Sequence, residues 1–333
     1  IVRDKIDLDQ QAAKLEIEEV DSEGKKLKLG VLELPSFYGD RDSNERLSSR
    51  DVRKLLEQAR EAEIDGLLFD LSRNGGGLLE DAVAISGFFV REGGIVAVKD
   101  GGKRSRVMPD PDSKLLYAGP MVVLVSRVSA SASEIVAGAL RDYQRAVIVG
   151  DRRTFGKGTV QSVFPLQPGL GALRITTALF FRPGGISTQK SGVASHFVIP
   201  SRFDVDSIGE SKQRYVLPEQ RIPEFRSERA NAKKEEDRFV AITPGIVKAL
   251  AARSSERVSK DKELQEIVED LAERNQDDGV VVLSELMEED RNGADPDAPL
   301  GAESAPPEEA EETRPPQTEE ALRVLADLVM LTR

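Results

Sequence analysis

The sequence contains no cysteine and only one histidine, His196, among its 333 residues. The lack of cysteine excludes disulfide bonds, thiolate nucleophiles and cysteine-ligated zinc sites. A single histidine also excludes a histidine-rich metal site. No uninterrupted apolar run reaches the roughly 18 residues that a helix needs to cross a bilayer. The composition therefore argues against cysteine-based catalysis, disulfide stabilisation, a cysteine- or histidine-rich metal site and a membrane-spanning helix.

The net charge of -12 argues against a general nucleic-acid-binding protein. That charge is concentrated in one segment, because residues 285–320 contain 13 acidic residues and two arginines. The rest of the chain is therefore almost neutral. Residues 290–318 are also rich in proline and alanine, a composition that predicts a disordered, solvating linker.

The first residues, Ile-Val-Arg-Asp-Lys from Ile1, show neither an initiator methionine nor a signal-like segment. We therefore expect the sequence to be a fragment or a mature piece whose targeting signal is absent.

The first half of the chain alternates buried-strand and helix patterns. Strands are predicted at 27–34, 64–71, 121–125 and 146–149, and helices at 49–62, 79–89 and 133–143. This order predicts an α/β layer with right-handed crossovers.

The pattern changes after Gly156. Residues 159–165 and 171–182 predict strands joined by a turn, in a more antiparallel section. Helices are then predicted at 244–252, 262–275 and 318–331. We therefore expect a core over residues 1–205, a linker over 206–240 and a helical C-terminal region over 241–333, giving a mixed α/β (α+β) fold.

The segment Ser-Ala-Ser-Ala-Ser-Glu-Ile from Ser129 places small hydroxyl residues at the start of a predicted helix. Ser131 precedes Glu134 by three residues, so the simplest interpretation is an N-terminal capping box. The alternative is a nucleophile, because a hydroxyl at a helix N-terminus lies in a positive field and the N–H of Ala132 could stabilise an oxyanion.

Lys157 lies between two glycines in Thr-Phe-Gly-Lys-Gly-Thr-Val-Gln. A lysine in such a turn is usually a solvated surface charge. As a general base it would have to be neutral, so its pKa would have to fall well below the usual value of about 10.4. Phe155 and Val160 could exclude water, and Gln161 could orient the amine without raising its pKa.

The run Arg-Asn-Gly-Gly-Gly over 73–77 follows a buried strand, where ligands often meet α/β sheets. It lacks the lysine of a nucleotide-binding loop. It is either a tight turn or a second oxyanion donor whose glycines, Gly75 and Gly76 among them, allow close approach of a substrate. A catalytic triad through His196 is the weaker interpretation, and a structural role is favoured.

Together these segments resemble the C-terminal processing or tail-specific serine proteases, in particular their long branch. The resemblance includes residues 1–6, 30–38, 70–87, 120–161 and 184–193, and it extends more weakly over 248–275 and the last helix. The pairing of Ser-Ala-Ser-Ala-Ser-Glu-Ile with Thr-Phe-Gly-Lys-Gly-Thr-Val-Gln is the specific part of the match.

The resemblance implies a ClpP/crotonase-like fold and a Ser/Lys endopeptidase that needs no metal or cofactor. Ser131 matches the nucleophile, Lys157 the base and Gln161 its orienting partner. The implied oxyanion donors are Ala132 and Gly75 or Gly76, and the supporting residues are Glu134, Asp142 and Thr154.

It also implies protein or peptide substrates bound through extended C-terminal regions, a lipoprotein adaptor as a further partner, and a Gram-negative periplasm or cell envelope as the location. No nucleic-acid partner and no integral membrane segment are expected.

Three departures from the family pattern are visible. The loop 150–154 is one residue longer than usual, which would displace Lys157. Ala194-Ser195-His196 stands where relatives carry Pro-Asp, and the family's PDZ domain is expected before Ile1 but is absent from the sequence. The longer loop and the missing PDZ domain motivate a second hypothesis, an inactive protease-like binding or scaffold module. A third, an enoyl-CoA-type enzyme on the related fold, is disfavoured because no acidic pair for hydration is evident.

Overall fold

The computed structural model describes residues 12–39, 46–102, 104–110, 114–231, 238–276 and 314–332. The resemblance at residues 1–6 and most of the predicted disordered segment 290–318 lie outside these ranges.

Strands and helices alternate through the first half of the chain and helices close it. The strands are β1 (Lys14–Ser22), β2 (Lys25–Glu33), β3 (Gly66–Asp70), β4 (Gly94–Asp100), β5 (Ser105–Pro109), β6 (Met121–Val125), β7 (Val147–Gly150), β8 (Thr159–Pro165), β9 (Ala172–Phe181) and β10 (Phe197–Val198). The helices are α1 (Ser48–Glu61), α2 (Leu79–Gly87), α3 (Ala132–Asp142), α4 (Pro244–Val258), α5 (Lys262–Gln276) and α6 (Pro316–Thr332).

The main sheet has the strand order β1-β2-β3-β6-β7-β10. β1 and β2 form an antiparallel hairpin, and the pairs from β2 to β10 are parallel. Because parallel strands share one carboxyl edge, the loops after β3, β6 and β7 meet there. These loops carry Gly75, Ser131 and Lys157, so the topology gathers the predicted site residues at one edge.

Alternating side chains of the buried strands pack into two separate hydrophobic clusters, one on each face of the sheet. In β3, Leu67 and Phe69 join the cluster that packs under α1, α2 and α3, and Leu68 joins the cluster under the C-terminal helices. This period of two is the pattern of a strand covered on both faces. The sheet is therefore the middle layer of three.

The last helix lies directly on the main sheet. A side chain at Gly66 in β3 would come within 2.8 Å of Val329 and 2.9 Å of Leu325, both in α6. Leu325 and Val329 are fully buried. The helical region predicted over 241–333 thus shares a hydrophobic core with the strands predicted to form the protease core.

A second, antiparallel sheet has the order β5-β4-β9-β8. Its β8–β9 hairpin is exposed on both faces along its outer half. Several of its large apolar side chains are exposed: Val163, Phe164, Leu166, Leu170, Leu173 and Ile175.

The predicted mixed α/β fold with an antiparallel section is confirmed. The predicted strands and helices lie within a few residues of their predicted bounds. The exception is the helix predicted at 244–252, which continues to Val258. The strands β1, β4, β5 and β10 were not predicted. The predicted linker 206–240 contains a 3-10 turn, Glu210–Lys212, that packs against the loop carrying Lys157.

Candidate active site

The three serines of the 129–133 segment have different surroundings. Ser129 is fully buried and its hydroxyl donates to the Leu71 carbonyl at 2.7 Å. Ser133 is fully buried as well, and its hydroxyl donates to the Asn74 carbonyl at 2.8 Å. Ser131 is partly exposed. Of the three hydroxyls, that of Ser131 is therefore the one that a solvent-borne substrate can reach.

Ser131 has an unusual backbone at the start of α3. Its φ of 57° and ψ of -110° lie outside the regions that a serine normally adopts. Such a conformation costs about 1–3 kcal/mol and is concentrated at functional sites. Of the predicted capping box, the contact with the Glu134 side chain is present, because the Ser131 N–H donates to Glu134 Oε2 at 2.8 Å. The Glu134 N–H donates to the Ser131 backbone carbonyl at 3.0 Å. Ser131 thus sits on a tight turn at the positive end of a helix.

Asn74 joins the loop after β3 to the serine loop. Its amide donates to the Leu34 carbonyl and its Oδ1 accepts from the Gly76 N–H, both at 2.8 Å. Its own carbonyl accepts from the Ala130 N–H at 3.2 Å. Because Asn74 is fully buried, these bonds fix the glycine run beside Ser131.

The N–H groups of Gly75 and Ala132 are the available donors next to Ser131. Within the ranges that the structure describes, neither donates to a protein acceptor, whereas the Gly76 N–H is engaged by Asn74. A side chain at Gly76 would meet Ser131 Cβ at 2.8 Å and Ala132 N at 3.2 Å. Glycine at position 76 therefore keeps the space over the serine open, and of the two glycines it is Gly75 whose N–H stays available.

Glu134 connects the serine loop to the lysine loop from a fully buried position. Its Oε1 accepts from Thr154 Oγ1 at 2.6 Å and from the Gly156 N–H at 2.8 Å. Its Oε2 accepts from the Lys157 N–H at 2.9 Å in addition to the Ser131 N–H. One carboxylate thus holds the backbones of Ser131 and Lys157 together.

Burial lowers the pKa of the Lys157 amine, while the carboxylates of Glu210 and Glu134 act to raise it. The amine donates to the Thr159 carbonyl at 3.5 Å and forms no hydrogen bond with Ser131 among the described contacts. The Lys157 backbone is joined to that of Ser131 through the Glu134 carboxylate. The loop 150–154 before this turn is anchored by the buried Asp151, which accepts from the Arg127 N–H at 2.7 Å.

Gln161 is exposed on β8 and is not brought to Lys157 by any described hydrogen bond. The segment from Thr159 is a strand, which rises about 3.3 Å per residue, so a residue four positions on is carried away from the lysine. A bulge between Val160 and Gln161 also changes the register there. The role of Gln161 stays a prediction.

A different glutamine lies at the lysine turn. Gln189 is fully buried, its Oε1 accepts from the Gly158 N–H at 2.9 Å, and its Nε2 donates to Glu210 at 3.1 Å. Sequence reasoning missed Gln189, Glu210 and Asn74. Only Asn74 lay in a recognised motif, because the other two reach the turn through long-range packing.

Asp142 and His196 occupy structural positions. Asp142 lies at the far end of α3 from Ser131, where it accepts from the Gly184 N–H at 2.8 Å and pairs with Arg182 at 3.2 Å. The Nδ1 of His196 accepts from the Ile148 N–H at 2.9 Å. Burial, together with the charge of Arg141, lowers the pKa of His196 to about 4, so the ring is neutral near pH 7.

The profile of Peptidase family S41 matches residues 28–199, about half of the chain. The chain belongs to this family. The S41 match includes the loops that carry Gly75, Ser131 and Lys157. In the described part of this S41 chain, no helix has the length and apolar character needed to cross a membrane.

Several known proteins are similar to this S41 chain. The "Tail-specific protease" of Haemophilus influenzae is 37% identical over 283 residues, which cover 83% of this chain and 38% of that protein. The "Carboxy-terminal-processing protease" of Bartonella bacilliformis is 38% identical over 196 residues, covering 56% and 43%. The chain thus spans less than half the length of these relatives.

Among solved structures, the photosystem II D1 C-terminal processing protease is similar with a TM-score of 0.49 and 28% identity, over 60% of this chain and 54% of that one.

Proposed function

We propose that this chain is the catalytic part of a serine endopeptidase that cleaves proteins at or near their C-termini. Ser131 is the nucleophile and Lys157 is the general base. The observation that carries the proposal is the contrast among the three serines: Ser129 and Ser133 are buried with engaged hydroxyls, and Ser131 is partly exposed on a strained turn. Membership of a peptidase family and the names of its relatives support the same activity.

In the proposed reaction, Ser131 Oγ attacks the carbonyl carbon of the scissile bond and its proton passes to neutral Lys157 Nζ. The carbonyl oxygen becomes an oxyanion that accepts from the N–H groups of Ala132 and Gly75. Lys157 then protonates the leaving amine and an acyl ester remains on Ser131. A water molecule, deprotonated by the same amine, hydrolyses that ester.

The lysine side chain must turn for this chemistry, because its amine now points to the Thr159 carbonyl. The Glu134 carboxylate accepts from the N–H groups of Ser131 and Lys157. These two hydrogen bonds keep both backbones in place while the Lys157 side chain rotates. The buried surroundings that lower the pKa of Lys157 favour the neutral amine that a base requires.

We propose that the substrate adds to the free edge of β8 as an extended strand. β8 is the outer strand of its sheet and begins two residues after Lys157. The exposed apolar side chains of the β8–β9 hairpin suit apolar segments of an unfolded polypeptide. Replacing Val163 or Leu173 by lysine should raise KM and leave kcat nearly unchanged, whereas Lys26→Glu on β1 should change neither. Unaltered KM in both hairpin variants would contradict this binding path.

A fluorophosphonate probe tests the proposed nucleophile directly. We expect it to modify Ser131 alone in the parent chain, as read by peptide mass spectrometry, and to label Ser129→Ala and Ser133→Ala wherever these remain folded. Ser131→Ala and Lys157→Ala should not react. Labelling of another serine, or equal labelling of Lys157→Ala, would contradict the assignment.

The second candidate is an inactive binding or scaffold module, favoured by the absence of a described contact between Lys157 and Ser131 or Gln161. In that case partners, a lipoprotein adaptor among them, would bind equally well to the parent chain and to Ser131→Ala, and no polypeptide would be cleaved.

Location in a Gram-negative periplasm or envelope is also a proposal, supported by the family resemblance alone. Cell fractionation of the full-length protein would test it.

A further inference from the structure

The turn that carries Lys157 is contacted both by residues within the S41 match and by residues that follow it in the sequence. The N–H of Glu210, in the 3-10 turn after the matched residues, donates to the Phe155 carbonyl at 2.9 Å. The Lys190 N–H donates to the Gly156 carbonyl at 2.8 Å. The segment around Glu210 therefore lies directly against the lysine turn.

The Glu210 side chain is fixed through Gln189. Gln189 Nε2 donates to Glu210 Oε1 at 3.1 Å, and Gln189 Oε1 accepts from the Gly158 N–H at 2.9 Å. A neutral, fully buried amide thus connects a carboxylate to the residue that follows the lysine. A side chain at Gly158 would come within 2.6 Å of the Gln189 backbone nitrogen, so the two segments are in close contact.

Three charged groups act on the Lys157 amine. Glu210 is the larger of two carboxylate influences that favour the ammonium form, Glu134 is the other, and Arg174 on β9 opposes them. Glu134 is already engaged by four donors, whereas only one described hydrogen bond reaches the Glu210 carboxylate. Of the two carboxylates, Glu210 therefore has fewer described hydrogen bonds to other donors.

We propose that Glu210, anchored by Gln189, is a positioning residue: its carboxylate, held against the turn that carries Lys157, sets the pH at which the Lys157 amine can act as a base. The inference rests on the proposed role of Lys157. It adds that a residue after the S41 match acts on this base.

The test is the pH dependence of Lys157 acetylation by a short pulse of acetic anhydride, read by peptide mass spectrometry in the full chain. Removing the charge in Glu210→Gln should lower the pH of half-maximal Lys157 labelling by about one unit. Glu210→Asp, which keeps the charge, should restore most of the parent value. Glu224→Gln, at an exposed carboxylate paired with Arg226, is the matched control and should change nothing.

The readout does not require hydrolysis, so it separates this inference from the proposed activity. If the chain also cleaves polypeptides, the acid limb of its pH–rate profile should shift by the same amount in Glu210→Gln. A Lys157 labelling profile unchanged in folded Glu210→Gln would overturn the inference even in an active enzyme. If Glu210→Gln failed to fold, Glu210→Ala would take its place, and a Lys157 labelling profile identical to that of the parent in folded Glu210→Ala would overturn the inference.

Discussion

Glu134 accepts four hydrogen bonds from a fully buried position, and both of its oxygens are saturated. The Thr154 hydroxyl accepts from the Val193 N–H, so its own proton points to Glu134. This arrangement leaves no room for a proton on the carboxyl group. Burial raises the pKa of Glu134 to about 7, and the four donors act in the opposite direction. The ionised form is the one that the geometry fits.

Replacing Glu134 by glutamine should disrupt this arrangement. The amide NH₂ would face N–H donors, so at least one loop would lose its acceptor, at a cost of about 1–3 kcal/mol in the free energy of unfolding. We expect a lower urea midpoint and loss of hydrolysis. Glu319→Gln, on the exposed face of α6, should leave both unchanged. An unaltered midpoint in Glu134→Gln would show that the carboxylate does not hold the loops.

His196 should make the stability of the chain depend on pH. Its pKa is lowered to about 4 in the folded state from an ordinary 6.5, so the unfolded chain takes up the proton first. The stabilisation is present above about pH 6.5 and is lost as the pH falls toward 4. His196→Asn supplies a non-titrating acceptor for the Ile148 N–H, so its melting temperature should fall less over this range. Hydrolysis near pH 7 should persist in His196→Asn. Its loss would instead support a catalytic triad that includes His196.

The central strands of the main sheet were predictable from the sequence. β3, β6 and β7 are continuous apolar runs, and such runs predict strands covered on both faces. β1 alternates apolar and charged residues at the edge of the sheet, and β4 and β5 belong to the second sheet. The pairing of β4 with β9, far along the chain, is not specified by local patterns. β1 and β5 each pair with the adjacent strand of a hairpin, β1 with β2 across Glu23-Gly24, so the alternation of β1 beside this turn was a usable sign of a hairpin.

The site was predictable where its residues lie in short motifs. Ser131, Ala132 and Lys157 come from two loops that the parallel sheet must bring to one edge. The partners of the lysine turn were not predictable, because Gln189 and Glu210 reach it over long sequence separations. The expectation for Gln161 came from its position four residues after Lys157 and from the family resemblance. The structure describes no hydrogen bond between the two side chains, and the role of Gln161 stays a prediction.

The loop after β3 offers a matched pair of glycine variants. Gly76 has φ of 109° and no room for a side chain, whereas Gly75 has nothing within 4 Å of an added Cβ. Gly76→Ala should therefore lose hydrolysis and unfold at lower urea concentration. Gly75→Ala keeps its N–H and should retain most activity. The reverse order of activities would contradict the placement of the oxyanion donors.

The whole molecule is built around one sheet with two hydrophobic faces, one of them covered by helices from the far end of the sequence. Leu325 is fully buried in that second cluster, and Leu331 in the same helix is 41% exposed. Leu325→Ala should cost about 2–5 kcal/mol in the free energy of unfolding, because it leaves a cavity. Leu331→Ala should cost much less.

The unfolding transition should remain single and cooperative in the parent chain and in both variants. Two separate transitions would support the division predicted at residues 205 and 241, with an independent C-terminal region. A single transition would show that strands and C-terminal helices form one folding unit.

The most direct test of the proposed activity is proteolysis of an unfolded polypeptide with an apolar C-terminal tag, by the parent chain, Ser131→Ala and Lys157→Ala. We predict cleavage by the parent chain and none by either variant, with urea midpoints showing that both variants remain folded. Cleavage that persists in folded Lys157→Ala, or that survives the loss of the Ser131 hydroxyl, would contradict the Ser131–Lys157 mechanism.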